Sequence, residues 1–147
     1  MRTDVDTATF EVGDEIPPLS TPPVSRLTLA LYAGASGDHN PIHVDLDFAR
    51  YHGMDDVFAH GMLASAYLGR MLTNWLPQDT LISFGMRFVA ISHVHDKLSC
   101  QGRITERFKE AGEQRAWLEL SVINQHGETK VVGDALVRLS TPMLQHP

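Results

Sequence analysis

Residues 61–76 constrain this chain more than any other segment. Met62, Leu63, Ala66, Tyr67, Leu68, Met71, Leu72, Trp75 and Leu76 cover most of the circumference of a helix. The less apolar Ser65, Gly69, Thr73 and Asn74 fall near one stripe. A helix that is apolar nearly all round has to be largely buried. Pro77 ends it, because its ring cannot continue the helical hydrogen bonding. With Arg70 and Asn74 inside it, the run falls short of the roughly 20 apolar residues that a membrane crossing needs. Other parts of the same chain must therefore wrap it.

The second half of the sequence supplies the wrapping, because there the apolar period changes from 3.6 to 2. Leu98, Cys100, Gly102 and Ile104 alternate with polar neighbours, as do Ala116, Leu118, Leu120 and Val122. Val131, Gly133, Ala135, Val137 and Leu139 continue the pattern. Each run predicts a half-buried antiparallel strand, and Ala111-Gly112 and His126-Gly127 predict the hairpin turns. Residues 80–91 read as a further strand. The fold class expected is α+β, a curved antiparallel sheet wrapped around one long central helix.

Ahead of the helix, residues 1–24 form an extended lead-in punctuated by Pro17-Pro18 and Pro22-Pro23, with a strand expected around residues 10–12. Leu27, Ala30, Leu31 and Gly34 recur at helical spacing behind Ser25, a natural N-cap. A short helix is expected over residues 47–51, capped by Asp45 or Asp47.

Composition excludes several classes of function. The chain has 147 residues, with 12 Lys and Arg against 18 Asp and Glu, a net charge of −6. That length suits one domain spanning 1–147, and no nucleic-acid or anionic-membrane surface is expected of so acidic a chain. A single cysteine cannot form an internal disulfide, which fits a cytoplasmic location. Residues 1–10 lack the apolar centre of a signal peptide.

Residues 36–45 concentrate polar types. Asp38 and His43 are five apart across a turn containing Asn40-Pro41. No regular element brings such a pair together, but a tight turn can aim carboxylate and imidazole at one small molecule. Taken singly, each also reads as a turn former or a hydrogen-bonded surface group. His39 and His43 have the spacing of metal ligands on a helix, but Pro41 between them breaks any helix, so no metal is expected. His52, His93, His95, His126 and His146 read as surface residues, and Cys100 as a small buried hydrophobe. For Met62, Met71 and Trp75 core packing and tunnel lining both remain open, with core favoured.

Residues 35–45, followed by Ala59-His60-Gly61-Met62-Leu63, resemble the signature of the MaoC-like (R)-specific enoyl-CoA hydratases and the related (3R)-hydroxyacyl-thioester dehydratases. The likeness continues through Arg87-Phe88-Val89-Ala90 and residues 98–106. It implies a single hot-dog fold and a hydro-lyase acting on trans-2-enoyl or (3R)-hydroxyacyl thioesters, with no cofactor. By this resemblance Asp38 and His43 are the catalytic pair, Asn40 and His60 support them, and Gly61 supplies the oxyanion donor. A helix N-terminus is suited to that last role, since its free N–H groups favour negative charge.

The resemblance also implies an acyl tunnel along the helix, with Met62, Ser65 and Gly69 as lining residues and Arg87 as a contact for CoA. The family often carries Ser where Gly69 stands, and Pro and Gly where Ile91 and His95 stand. Small residues at Ala64, Ser65, Ala66 and Gly69 predict acceptance of a medium-to-long or bulky acyl group. The substrate expected is an acyl-CoA, with an acyl carrier protein as the alternative and a homodimer or heterodimer as the assembly. A non-catalytic subunit is disfavoured because Asp38 and His43 are both present. A thioesterase is disfavoured because the Asp-x-Asn-Pro-x-His arrangement suits hydration.

Overall fold

The computed structural model describes residues 5–140, so His146 lies outside the described residues. Five antiparallel strands form one curled sheet in the order β1 (Leu19–Ser20), β3 (Ser99–Glu110), β4 (Glu113–Ile123), β5 (Thr129–Arg138) and β2 (Leu81–Phe88). Helix α3 (Gly61–Trp75) packs across β1, β3, β4 and β5. It buries Leu63, Leu68, Met71, Leu72 and Trp75 against Cys100, Ile104, Leu118, Leu120, Ala135 and Val137. The inward residues of the strands are those the alternation picks out, and the architecture is the expected α+β sheet around one long helix. Burial pushes the Cys100 thiol up to about 12, so it behaves as an apolar side chain.

The helix is nevertheless open along one side. Met62 is 52% exposed, and Ala66, Arg70 and Asn74 are exposed with it at every fourth position, whereas Ser65 is buried. The sheet covers α3 from one side only, and Arg70 and Asn74 mark the side it leaves free.

Helix α1 (Arg26–Ser36) begins as expected, with Ser25 Oγ accepting the Thr28 N–H at 3.1 Å. Its buried face, however, is Leu29 and Ala33, while Leu27 and Leu31 are 69% and 66% exposed. The segment carries two apolar stripes, and periodicity identifies the helix without saying which stripe faces the core. Helix α2 (Leu46–Tyr51) is capped by Asp45, whose Oδ1 accepts the Phe48 N–H at 3.1 Å.

No strand forms at residues 10–12. A 3-10 turn covers Thr7–Thr9, and Phe10 packs edge-on against Trp75 with ring centroids 5.2 Å apart. Pairing with β3 starts later, through Gly13 N–H to Ile104 C=O at 2.8 Å and Ile16 N–H to Gly102 C=O at 3.0 Å. It resumes where Leu19 and Ser20 face Cys100 and Ser99. Pro17 and Pro18, which lack N–H donors, split this edge into short pieces. Strand β2 is also shorter than the expected residues 80–91, because the chain leaves the sheet after Phe88. At the β3–β4 turn Ala111 and Gly112 both have positive φ, 53° and 77°, the geometry of a tight type I′ hairpin.

The two stripes of α1 can be told apart by mutation. Leu29→Ala is expected to cost about 2–5 kcal/mol of folding stability and Leu27→Ala less than about 0.5 kcal/mol, read from urea unfolding. Equal costs would contradict the observed orientation.

Candidate active site

Gly37 closes α1 in the left-handed conformation, φ +77°, and starts a run of side-chain-capped turns. Ser36 Oγ accepts the Asp38 N–H at 3.2 Å, and Asp38 Oδ1 accepts the Asn40 N–H at 3.2 Å. Asn40 Oδ1 in turn accepts the Ile42 N–H at 3.1 Å and caps the 3-10 turn Pro41–His43. Pro41 at the first position supplies the fixed φ that such a turn needs. The turn carries His43 inward until it is buried, while Asp38 stays exposed. A carboxylate oxygen of Asp38 and one ring nitrogen each of His43 and His60 then lie within 4.8 Å of one another.

Backbone carbonyls set both imidazoles. His43 Nδ1 lies 2.7 Å from the Phe58 carbonyl oxygen. That oxygen can only accept, so Nδ1 carries the proton and the neutral ring keeps Nε2 as an acceptor. His60 Nε2 donates to the Asp38 carbonyl at 3.2 Å, and its Nδ1 is buried with no hydrogen-bond partner among the described residues. The two rings stack at 3.9 Å, and Tyr32 meets His60 edge-on at 4.9 Å. Burial pushes the His60 pKa below its ordinary value; the bond to Asp38 opposes this and the neighbouring His43 adds to it. Burial, then the Asp38 charge, raises the Tyr32 hydroxyl. The spacing of Asp38, His43 and His60 is also that of metal ligands. The two rings stack, 27° from parallel, and hydrogen bonds already occupy His43 Nδ1 and His60 Nε2. His39 is exposed and outside the cluster.

Gly61 opens α3 behind His60, an N-cap residue whose side chain makes no capping bond. The positive end of the helix is thus left without a side-chain cap. A Cβ on Gly61 would lie 3.0 Å from two atoms of the Phe88 ring, so any larger residue would push this ring away from the helix start by a few tenths of an ångström. A cavity of ≈ 310 Å³ lies alongside, lined by His43, Phe58, Gly61, Ala64, Lys130 and residues 88–92.

Of the residues singled out in the sequence, the structure brings Asp38, Asn40, His43, His60 and Gly61 to one place. The others are dispersed. Met62 is on the open side of α3, Ser65 is buried with Oγ 3.4 Å from the Gly61 carbonyl, and Gly69 faces the Phe84 ring. Arg87 alternates with Met86 and Phe88, which puts it on the opposite sheet face, beside a separate hollow with Gly85, Gly133 and Asp134. His95 takes φ +76°, a glycine-like conformation, where the resembled family has glycine. Tyr32, Phe58, Phe88 and Lys130 carry no sequence signal of comparable strength. Lys130 follows the polar Gly127-Glu128-Thr129 and reads from the sequence as an ordinary charged strand residue ahead of Val131-Val132.

A family model described as "MaoC like domain" matches residues 9–125. The (R)-specific enoyl-CoA hydratase of Aeromonas caviae is 28% identical over 113 residues, covering 76% of this chain and 83% of that protein. Fatty acid synthase subunit beta of Saccharomyces cerevisiae is 46% identical over 44 residues, 30% of this chain, which spans 2% of that subunit's length. Among solved structures, the unliganded R-hydratase PhaJ1 from Pseudomonas aeruginosa superposes with a TM-score of 0.81 at 24% identity, over 98% of this chain and 94% of that one.

The buried His60 sets a pH dependence. Its folded pKa lies below the ordinary value of about 6.5, so in mild acid the unfolded chain takes up a proton that the folded one rejects. Stability should therefore fall as pH drops from about 7 towards 5. His60→Gln should flatten that limb in thermal unfolding series; an unchanged slope would place its origin elsewhere.

Proposed function

The chain belongs to the MaoC-like domain family, and from that premise we propose that it is a lyase that reversibly hydrates trans-2-enoyl-CoA to (3R)-3-hydroxyacyl-CoA. One observation carries this reading. His43 is held through Nδ1 by the Phe58 carbonyl, which leaves Nε2 free, and a ring nitrogen of His43 lies within 4.8 Å of the Asp38 carboxylate beside the uncapped start of α3. A water placed there meets an acid–base pair on one side and an oxyanion site on the other.

In the proposed reaction one member of the pair takes a proton from water as the oxygen bonds to Cβ of the enoyl group. The alkene electrons move to the thioester oxygen, where the Gly61 N–H and the α3 dipole stabilise the enolate. That proton, shared within the pair, is then delivered to Cα on the same face as the enolate electrons return to form the C–H bond, so hydroxyl and hydrogen add syn and the pair regains its starting state. The two groups act as a coupled pair. The ≈ 310 Å³ cavity takes the reacting end of the thioester. Arg87, on the far face of the sheet, is not part of this path.

The same reading includes a second copy of the chain. Strand β2 is an outer strand of the sheet, and Ile82, Met62, Phe88 and Val89 are 46–53% exposed on and beside it. An apolar edge of this kind is an aggregation hazard unless covered. The assembly proposed is a homodimer in the cytoplasm; among the described residues no helix is long and apolar enough to cross a membrane.

Purified protein should hydrate crotonyl-CoA or longer trans-2-enoyl-CoAs, read by loss of the enoyl thioester absorbance. Asp38→Asn and His43→Gln should each lower kcat by about 10²–10⁴-fold while remaining folded. Full activity in both variants would sink the mechanism, and turnover only of carrier-protein thioesters would reassign the substrate. Sedimentation equilibrium should give twice the 16.3 kDa chain mass; a fully active monomer would rule out the homodimer.

A further inference from the structure

We propose that Lys130 is a positioning residue for this site, pinning residues 89–96 and, through them, the segment that orients His43 and opens α3. In the β4–β5 pairing Val122 faces Val131 and Ile123 faces Thr129, so Lys130 is the extra residue of a β-bulge. A bulge re-aims a side chain that strict alternation would send outward. Here it turns the lysine inward until it is 0% exposed and lines the cavity.

An ammonium has three protons and no acceptor, and three acceptors surround this one. Nζ donates to the Ile91 carbonyl at 2.7 Å and is paired with Glu128 at 3.1 Å and Asp96 at 3.5 Å. The Lys130 carbonyl also accepts the Val89 and Ala90 N–H groups, at 2.9 and 3.3 Å. One residue thus holds three consecutive loop positions, by main chain and side chain together.

From the loop, two short links reach the reacting groups. Ser92 C=O accepts the Ala59 N–H at 2.9 Å, and His93 pairs with Phe58 in an isolated bridge. Phe58 C=O then receives the His43 Nδ1 proton, and the chain passes through His60 into Gly61. Asp96 reinforces the far end by accepting the His93 N–H at 2.9 Å. A methionine would fill the volume of Lys130 but could not donate to Ile91.

The kinetic part of the test rests on the proposed hydratase reading; its structural part does not. Two charge-balanced variants separate the loop bond from the ion pair, since both remove the charges and only glutamine can donate to Ile91. Lys130→Met/Asp96→Asn should lose about tenfold or more in kcat, the scale of a slight misplacement, with KM little changed. Lys130→Gln/Asp96→Asn should stay close to wild type. Amide hydrogen exchange at Ala59 should quicken in the methionine variant alone. Equal kcat and equal exchange in the two would overturn the proposal. A wild-type protein inactive on every enoyl thioester would refute the functional reading, leaving exchange at Ala59 to decide the role of Lys130. If neither variant folds, acetylation of the native protein decides: the exposed Lys97 and Lys109 should react and Lys130 should not, and equal labelling would overturn it.

Discussion

Everything in this molecule depends on covering α3. A helix with Leu63, Leu68, Met71, Leu72 and Trp75 on one side needs a broad apolar surface, and the alternating faces of β3, β4 and β5 supply one. Burial on this scale, at about 25 cal/mol per Å² of apolar surface, is the main favourable contribution to folding. The chemistry inherits its position from that packing. Because α3 lies against the sheet, its N-terminus comes to rest beside the end of β2, where Phe88 packs on Gly61. The sheet runs out at that point, so the cavity opens at the end of the core and not within it.

Around that opening the side chains are oriented mainly by main-chain carbonyls. Phe58 C=O holds His43, Asp38 C=O holds His60, and Ile91 C=O holds Lys130. A carbonyl oxygen accepts and never donates, so each contact fixes which nitrogen carries a proton as well as where the side chain points. Placing both imidazoles by backbone contacts leaves the His43 Nε2, and the Asp38 carboxylate oxygen not bonded to the Asn40 N–H, available for the proposed reaction. The cost is a buried His60 Nδ1 with no partner among the described residues and a lowered His60 pKa.

Elements governed by neighbours along the chain are legible in the amino-acid sequence. Ser25 caps α1, Asp45 caps α2, Ala111-Gly112 turns the hairpin, and strand alternation names the inward residues from Leu98 to Val137. The turn at Asn40-Pro41 is legible too, while the pairing of Asp38 with His43 across it is implied by the resemblance and left open by the local pattern. The buried stripe of α1 is not, since two stripes compete and only contact with the core chooses Leu29 over Leu27. Nor is the lead-in: Phe10 is a reasonable strand residue by itself, yet Trp75 offers it a better surface than β3 does.

Local pattern, carried by nearest neighbours along the chain, determined by itself the helix to be buried, the strands to bury it, the acidic single-cysteine character and the polar turn from Ser36 to Asp45. Tertiary structure alone decided which side of α3 stays open, that Phe58 orients His43, that Phe88 lines the cavity while Arg87 lies beside another hollow, and that Lys130 turns inward. Each of those depends on residues far apart in sequence. A bulge of one residue, or the place where a sheet runs out, changes them without leaving any mark on the periodicity of the chain.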